Sequence, residues 1–340
     1  MDANAVVIEG TDLTVSCKND ETLLNAALRQ GIGFPYECNS GGCGSCYFDL
    51  LEGEMADLWP EAPGLTERSR SRGRRLACQS IPNGNCKIKA RLSEEYVPKI
   101  RPQRSAARLV KAISLTHDMM QFSLETEASA DFLAGQFALL RFPGLPSWRA
   151  YSMSNNGNDS HIWEFIIKRV PNGKATGLLF ENIKVGDTLT LDGPYGLAYL
   201  RTDIPRDIVC VGGGSGLSPM MAIVRAAARE PGLQNRSITM FYGGRAPRDL
   251  AVNALFEAEP MLKSRVKLVC AISDHAAADA AQWEGERGFI HEVLASQLQG
   301  KFKEQEYYFC GPPPMTNALQ NMLMQDEKVP LQQLHFDRFF

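Results

Sequence analysis

Nine consecutive residues constrain this chain more than any others: Cys38-Asn39-Ser40-Gly41-Gly42-Cys43-Gly44-Ser45-Cys46. Three cysteines stand in a C-x4-C-x2-C run, and a fourth, Cys78, follows at a distance in Arg75-Leu76-Ala77-Cys78-Gln79. This spacing with a remote fourth thiol is a ligand pattern of [2Fe–2S] clusters, distinct from the compact C-x2-C-x2-C-x3-C run. Four thiolates must surround two irons, and one loop supplies three of them only by curling tightly. Gly41, Gly42 and Gly44 lack a Cβ, so the backbone is free to take positive φ and turn N–H groups toward the sulfurs. Such hydrogen bonds hold negative charge and tune the potential. Zinc sites usually pair their cysteines in two knuckles, whereas only Cys43 and Cys46 form a C-x2-C here. A thioredoxin-like dithiol would leave Cys38 and Cys78 without a role.

At 340 residues the chain is long enough for two or three domains. Its 44% hydrophobic and 22% charged residues are those of an ordinary globular protein. A net charge of −3 argues against general nucleic-acid binding. No uncharged apolar run reaches about 18 residues, so no membrane span is expected. Met1-Asp2-Ala3-Asn4 lacks the basic and apolar regions of a signal peptide. Nine cysteines in a chain this long do not read as a disulfide framework. With four assigned to the cluster, Cys17, Cys86, Cys210, Cys270 and Cys310 remain, and a reduced, cytoplasmic, monomeric protein is expected.

Residues 1–97 read as one compact unit. Val6-Val7-Ile8 and Leu13-Thr14-Val15 form short strands around the turn Glu9 to Asp12. Asp20 is placed to cap a helix carrying Leu23, Leu24, Ala27 and Leu28, with Gly31 as its stop. A strand from Tyr47 to Leu51 follows the cysteine loop, and Cys86 to Ala90 reads as a closing edge strand. This order, with its loop, resembles the β-grasp fold of plant-type ferredoxins.

Residues 98–105, with Pro98 and Pro102 around basic residues, read as a linker. From 106 to 203, short strand-like runs (Ala107 to Leu115, Met119 to Leu124, Phe137 to Phe142, Ile162 to Val170, Leu189 to Leu191) predict a small antiparallel barrel. From 204 to 340 the texture changes to buried strands at Ile208 to Val211, Ile238 to Tyr242, Val266 to Ala271 and Tyr307 to Cys310, alternating with helices. That alternation predicts a doubly wound parallel sheet. The fold class is thus a mixture of α+β and α/β domains.

Three motifs of the barrel resemble the ferredoxin–NADP reductase superfamily. Arg149-Ala150-Tyr151-Ser152 matches its R-x-Y-S signature for flavin. A planar guanidinium suits a pyrophosphate, a tyrosine packs on an isoalloxazine ring, and a serine hydroxyl reaches flavin N5. Gly173-Lys174-Ala175-Thr176 resembles the second phosphate-binding turn, where N–H groups at a helix start face the pyrophosphate. Gly193-Pro194-Tyr195-Gly196 matches the G-P-x-G turn that ends the flavin domain. Ile166 and Lys168, on the strand from Ile162 to Val170, complete the candidate flavin contacts.

Gly212-Gly213-Gly214-Ser215-Gly216-Leu217-Ser218-Pro219 follows a buried strand and opens a helix, the context a phosphate-cradling loop requires. It matches the superfamily's pyridine-nucleotide loop GGG-[ST]-G-x-x-P. Cys310-Gly311-Pro312-Pro313-Pro314-Met315 matches C-G-P-x-x-M, whose cysteine lies by the nicotinamide. On this resemblance Cys310 and Ser152 are catalytic candidates, and a C-terminal aromatic, Phe339 or Phe340, would stack on the flavin. At the strand end Tyr242-Gly243-Gly244-Arg245, no acidic residue is in place for a ribose hydroxyl, and Arg245 could accept a 2′-phosphate. The resemblance nevertheless favours NADH.

A nicotinamide yields two electrons at once, a [2Fe–2S] cluster accepts one, and a flavin mediates between them. Ferredoxin, flavin and nucleotide units in this order resemble the reductase components of bacterial multicomponent oxygenases. The toluene, phenol and methane monooxygenase reductases are the foremost match, and those of ring-hydroxylating dioxygenases follow. The resemblance implies FAD and an acceptor protein, either a Rieske-type ferredoxin or a di-iron hydroxylase. A diaphorase with the same three centres is the alternative; a redox regulator would need a DNA-binding module that the sequence does not carry. One feature departs from the family: Arg68, Arg70, Arg72, Arg74 and Arg75 precede Cys78, either as a solvated loop face or as a docking patch for an acidic partner.

Overall fold

The computed structural model describes residues 3–145 and 147–337. Three larger sheets follow one another along the chain, each beside its own core. In the first, the strand order is Thr14–Cys17, Asn4–Ile8, Cys86–Lys89, Tyr47–Glu52, Arg74–Leu76. The helix Leu23–Arg29 covers it, burying Leu23, Leu24, Ala26, Ala27 and Leu28 completely against Val6, Ile8, Val15, Phe48 and Ile88. This is the β-grasp arrangement.

Two local expectations change. The strand Cys86–Lys89 is central, not an edge: it pairs parallel with Asn4–Ile8 and antiparallel with Tyr47–Glu52. Its short length and lysines hid this, because the central position shows only in buried Cys86 and Ile88. The helix cap is Thr22, whose hydroxyl accepts the Asn25 N–H at 3.4 Å. Asp20 instead reaches Arg104 at 2.6 Å. Gly31 does end the helix, at φ +78°.

The second sheet has six strands in the order Arg149–Ser152, Phe137–Arg141, Thr188–Tyr195, Gln103–Ser114, Met119–Thr126, Ile162–Lys168. A bridge between Met153 and Phe165 links its two ends into a barrel. Its interior is Leu109, Phe122, Leu124, Leu140, Phe165, Ile167, Leu189 and Leu191. The first barrel strand starts at Gln103, so the last residues of the expected linker already pair with Leu191 to Gly193.

In the third sheet all six strands are parallel, in the order Glu286–Arg287, Val266–Ile272, Ile238–Gly244, Asp207–Gly213, Gln305–Cys310, Leu334–Phe336. The helix Leu217–Arg229 packs on one face through Met220, Met221, Ile223 and Val224. Ile290, Val293, Leu294 and Leu319 cover the other face. Burial on both faces is why its strands read as continuous apolar runs.

The central position of Cys86–Lys89 sets a stability difference. Ile88→Ala should cost about 2–5 kcal/mol of ferredoxin-unit stability, and exposed Thr14→Ala about 0.5 kcal/mol or less. Urea unfolding followed through the visible absorbance of the loaded protein checks this. Equal midpoints for the two variants would contradict the sheet order.

Candidate functional site

The cysteine loop curls as its glycines predict. Gly41 and Gly44 take φ +89° and +81°, whereas Gly42 is not among the positive-φ residues and Asn39, at φ +48°, supplies a further left-handed turn. Asn39 is held by its side-chain amide donating to Asn25 Oδ1 at 2.9 Å. A Cβ on Gly44 would sit 2.4 Å from the Gly64 carbonyl oxygen, so the loop rests directly on backbone.

The four thiols form two pairs. Cys46 and Cys78 Sγ are 3.4 Å apart, and Cys38 and Cys43 hydrogen-bond each other. The Cys38 thiol is drawn below its usual range by the Cys43 S–H and by Ser40, against the cost of burial. The N–H groups of Ser40 and Cys43 each point at Cys38 Sγ from 3.4 Å, and that of Ser45 at Cys43 Sγ from 3.5 Å. Among the described residues no three or more His, Cys, Asp or Glu gather as for one metal ion. Two thiol pairs with N–H donors around them suit a two-iron cluster.

Between the barrel and the parallel sheet lies a cavity of about 330 Å³. It brings together Arg149, Ala150, Tyr151, Ser152, Ile166, Lys168, Gly173, Lys174, Ala175, Thr176, Ser215 and Cys310. Ser152 Oγ is buried with no partner, an orphan that a ligand's polar atom would satisfy. The helix Lys174–Glu181 begins here, and its first N–H groups have no intrahelical acceptor. Burial pushes the Tyr151 phenol up to about 12, opposed by the Arg149 charge. It also pushes the Cys310 thiol above its usual range, with Asp337 adding to the effect. A planar aromatic ligand with a pyrophosphate tail fits this donor set. Ser218 ties the two walls together, donating to the Ser152 carbonyl at 2.7 Å and accepting the Ile166 N–H at 3.0 Å.

A cleft of about 580 Å³ adjoins this cavity at Lys168. Gly213, Gly214, Arg245 and Pro312 line it, together with Tyr242, Asp249, Phe289, His291 and Met315. Gly193, Gly212, Gly216, Pro219 and Gly311 line neither space. Gly193 packs on Ala138 inside the barrel sheet. Gly216 abuts the end of the strand Gln305–Cys310 so closely that a Cβ would lie 1.8 Å from the Cys310 carbonyl oxygen. Phe339 and Phe340 lie outside the described residues.

Family models for a 2Fe-2S iron-sulfur cluster binding domain, an oxidoreductase FAD-binding domain and an oxidoreductase NAD-binding domain match residues 6–83, 106–199 and 210–321. The chain is 43% identical over 327 residues to the ferredoxin–NAD(P)(+) reductase CarAd of Metapseudomonas resinovorans, covering 96% of each. It is 30% identical to the xylene/toluene monooxygenase electron transfer component XylA of Pseudomonas putida, over 95% of this chain and 90% of that one. The solved ferredoxin reductase in carbazole 1,9a-dioxygenase has a TM-score of 0.92 and 41% identity, with 99% and 98% of the two chains covered. The chain belongs to the iron–sulfur flavoprotein reductases of multicomponent oxygenases. It is an oxidoreductase with [2Fe–2S], FAD-binding and NAD-binding domains, and both kinds of system expected from its motifs occur among its relatives.

In this reductase several residues could not be foreseen from motifs. Tyr242 reaches the cleft from the end of the strand Ile238–Gly244, and Phe289 and His291 reach it from the start of the helix Ile290–Leu298. Asp337, buried beside Glu37 and Cys38, has its carboxyl pushed up to about 8, first by burial and then by those neighbours. Asp249 folds back four residues to accept the N–H groups of Arg245 and Ala246 at 3.1 and 3.0 Å. An acidic group therefore does stand at that strand end. The arginine run also resolves. Arg70 donates to the Ala62 carbonyl, Arg74 pairs with Asp49 and Arg75 with Asp57, while Arg68 and Arg72 are exposed. No helix among the described residues is long and apolar enough to cross a membrane.

Gly216 gives the sharpest local test. Gly216→Ala should force the glycine loop away from Cys310 and slow NADH-driven flavin reduction by about tenfold or more, since about 1 Å of misplacement suffices for that. Rapid-mixing absorbance at saturating NADH, on protein with parental circular dichroism, measures it. A parental rate would mean that the close approach has no bearing on the cleft.

Proposed function

We propose that this reductase takes hydride from NADH in the cleft, passes the electron pair through FAD in the adjoining cavity, and delivers single electrons by way of the cluster. The acceptor is an oxygenase-system protein, a Rieske-type ferredoxin or a di-iron hydroxylase. The observation that carries this reading is contiguity. Lys168 lines both spaces, Cys310 faces the cavity, and Ala150 of the same cavity wall packs against the ferredoxin core. A ferredoxin acceptor is favoured by the relatives named ferredoxin–NAD(P)(+) and ferredoxin–NAD(+) reductases.

The residue roles follow from chemistry. Cys38, Cys43, Cys46 and Cys78 hold iron. Arg149 and Lys174, with the N–H groups behind Gly173, hold the flavin pyrophosphate. Ser152 Oγ, buried without a partner, would hydrogen-bond the flavin ring, and Tyr151 would pack on it. When bound, FAD accepts hydride as an electron pair and releases the electrons singly. Ser215 and Cys310 border the place where the nicotinamide must approach, while Gly213 and Gly214 leave room for the dinucleotide backbone. The Asp249 carboxylate beside Arg245 disfavours a 2′-phosphate, which supports NADH over NADPH. Residues 1–97, 106–203 and 204–340 are taken as the three functional units, and the nine free cysteines accord with a reducing compartment such as the cytoplasm.

Cys78→Ser separates the centres. NADH should still bleach the flavin at the parental rate, while the reduced-cluster EPR signal is lost or reshaped and transfer to an acceptor ferredoxin falls to background. Loss of flavin reduction in the same variant would contradict the proposed order of centres.

A further inference from the structure

Asp192 has no solvent exposure, and three donors surround its carboxylate, two of them from distant parts of the chain. Arg29 Nη2 lies 3.3 and 3.1 Å from its two oxygens, Arg104 Nε donates at 3.2 Å, and the Tyr195 hydroxyl donates at 2.8 Å. Arg29 ends the ferredoxin helix Leu23–Arg29, whereas Arg104, Asp192 and Tyr195 belong to the barrel. Each arginine has a second anchor on the ferredoxin side: Arg29 Nε meets Glu21 at 2.7 Å, and Arg104 Nη1 meets Asp20 at 2.6 Å. Arg29 Nη1 also donates to the Pro102 carbonyl at 3.0 Å, pinning the connecting stretch.

The same strand reaches the cluster loop. Tyr195 meets Tyr36 edge-on at 6.5 Å, and the Tyr36 hydroxyl accepts the Gly196 N–H at 2.9 Å. Tyr36 is two residues from Cys38. The surrounding contact between the units is apolar, made by Phe137, Leu139 and Tyr195, and apolar contact is not directional. The arginine forks are directional, and a buried carboxylate that lost them would be left uncompensated. One orientation of the ferredoxin unit satisfies Asp192.

We infer that Asp192 is a positioning residue, which fixes the ferredoxin unit on the flavin barrel and thereby the separation between the flavin cavity and the cluster loop. This inference rests on the electron route proposed above. Each NADH contributes two electrons and one proton as hydride; the electrons cross this gap one at a time and the proton leaves to solvent. Misplacement therefore acts on the gap step and leaves the hydride step alone.

The test uses the fully loaded reductase mixed anaerobically with NADH, with flavin bleaching followed by absorbance and cluster reduction by freeze-quench EPR. Asp192→Asn and Arg29→Met should bleach flavin at the parental rate but reduce the cluster several-fold more slowly, because a one-electron transfer slows as the gap between the centres widens. Arg29→Lys, which keeps the charge without the fork, should fall between. The double variant should be no slower than Asp192→Asn alone, because the pair acts as one unit. Parental cluster reduction in Arg29→Met, which keeps Asp192 in place with Arg104, would overturn the inference. So would equal slowing of both steps, which would mark general damage. Parental protein that loads flavin and cluster but passes no electrons between them would overturn the route itself, separately from the role of Asp192.

Discussion

The strand Phe137–Arg141 is buried on both faces, and each face belongs to a different core. Phe137 and Leu139 complete the ferredoxin core, whereas Ala138 and Leu140 complete the barrel interior. The two-residue period of a strand makes this division automatic. Its partner strand Arg149–Ser152 is held in register, Phe137 against Ser152 and Leu140 against Arg149. A slip of one residue would exchange the two cores and turn the cavity-lining side chains the wrong way. Placement of the cavity wall against the ferredoxin core thus depends on this one strand's pairing.

Much of the chemistry was legible because its determinants are local. A thiol ligand run, an R-x-Y-S tetrapeptide and a glycine run before a helix each encode a turn and its donors within a few residues. The cysteine loop, the flavin cavity and the nucleotide cleft gather most of the residues singled out. Gly193, Gly212, Gly216, Pro219 and Gly311 turned out to shape the backbone around these spaces without lining them.

What stayed hidden depends on separation in sequence. Asp192 and Arg29 are 163 residues apart, and nothing near either one announces the other. The central place of Cys86–Lys89 is set by partners at both ends of the unit. Asp20, the cap expected from the sequence, is taken by Arg104, far along the chain, and Thr22 caps the helix instead. Among the five arginines before Cys78, backbone and carboxylate partners elsewhere decide which remain exposed.

These features describe a molecule whose three redox partners are held in series by burial and a few directional ion pairs. The most direct measurement is an anaerobic titration of the purified protein with NADH, with iron, sulfide and flavin quantified. The account predicts about two irons per chain and about one FAD, with both centres reduced by NADH. Zinc in place of iron, an absent flavin, or a cluster that stays oxidised while the flavin bleaches would contradict it.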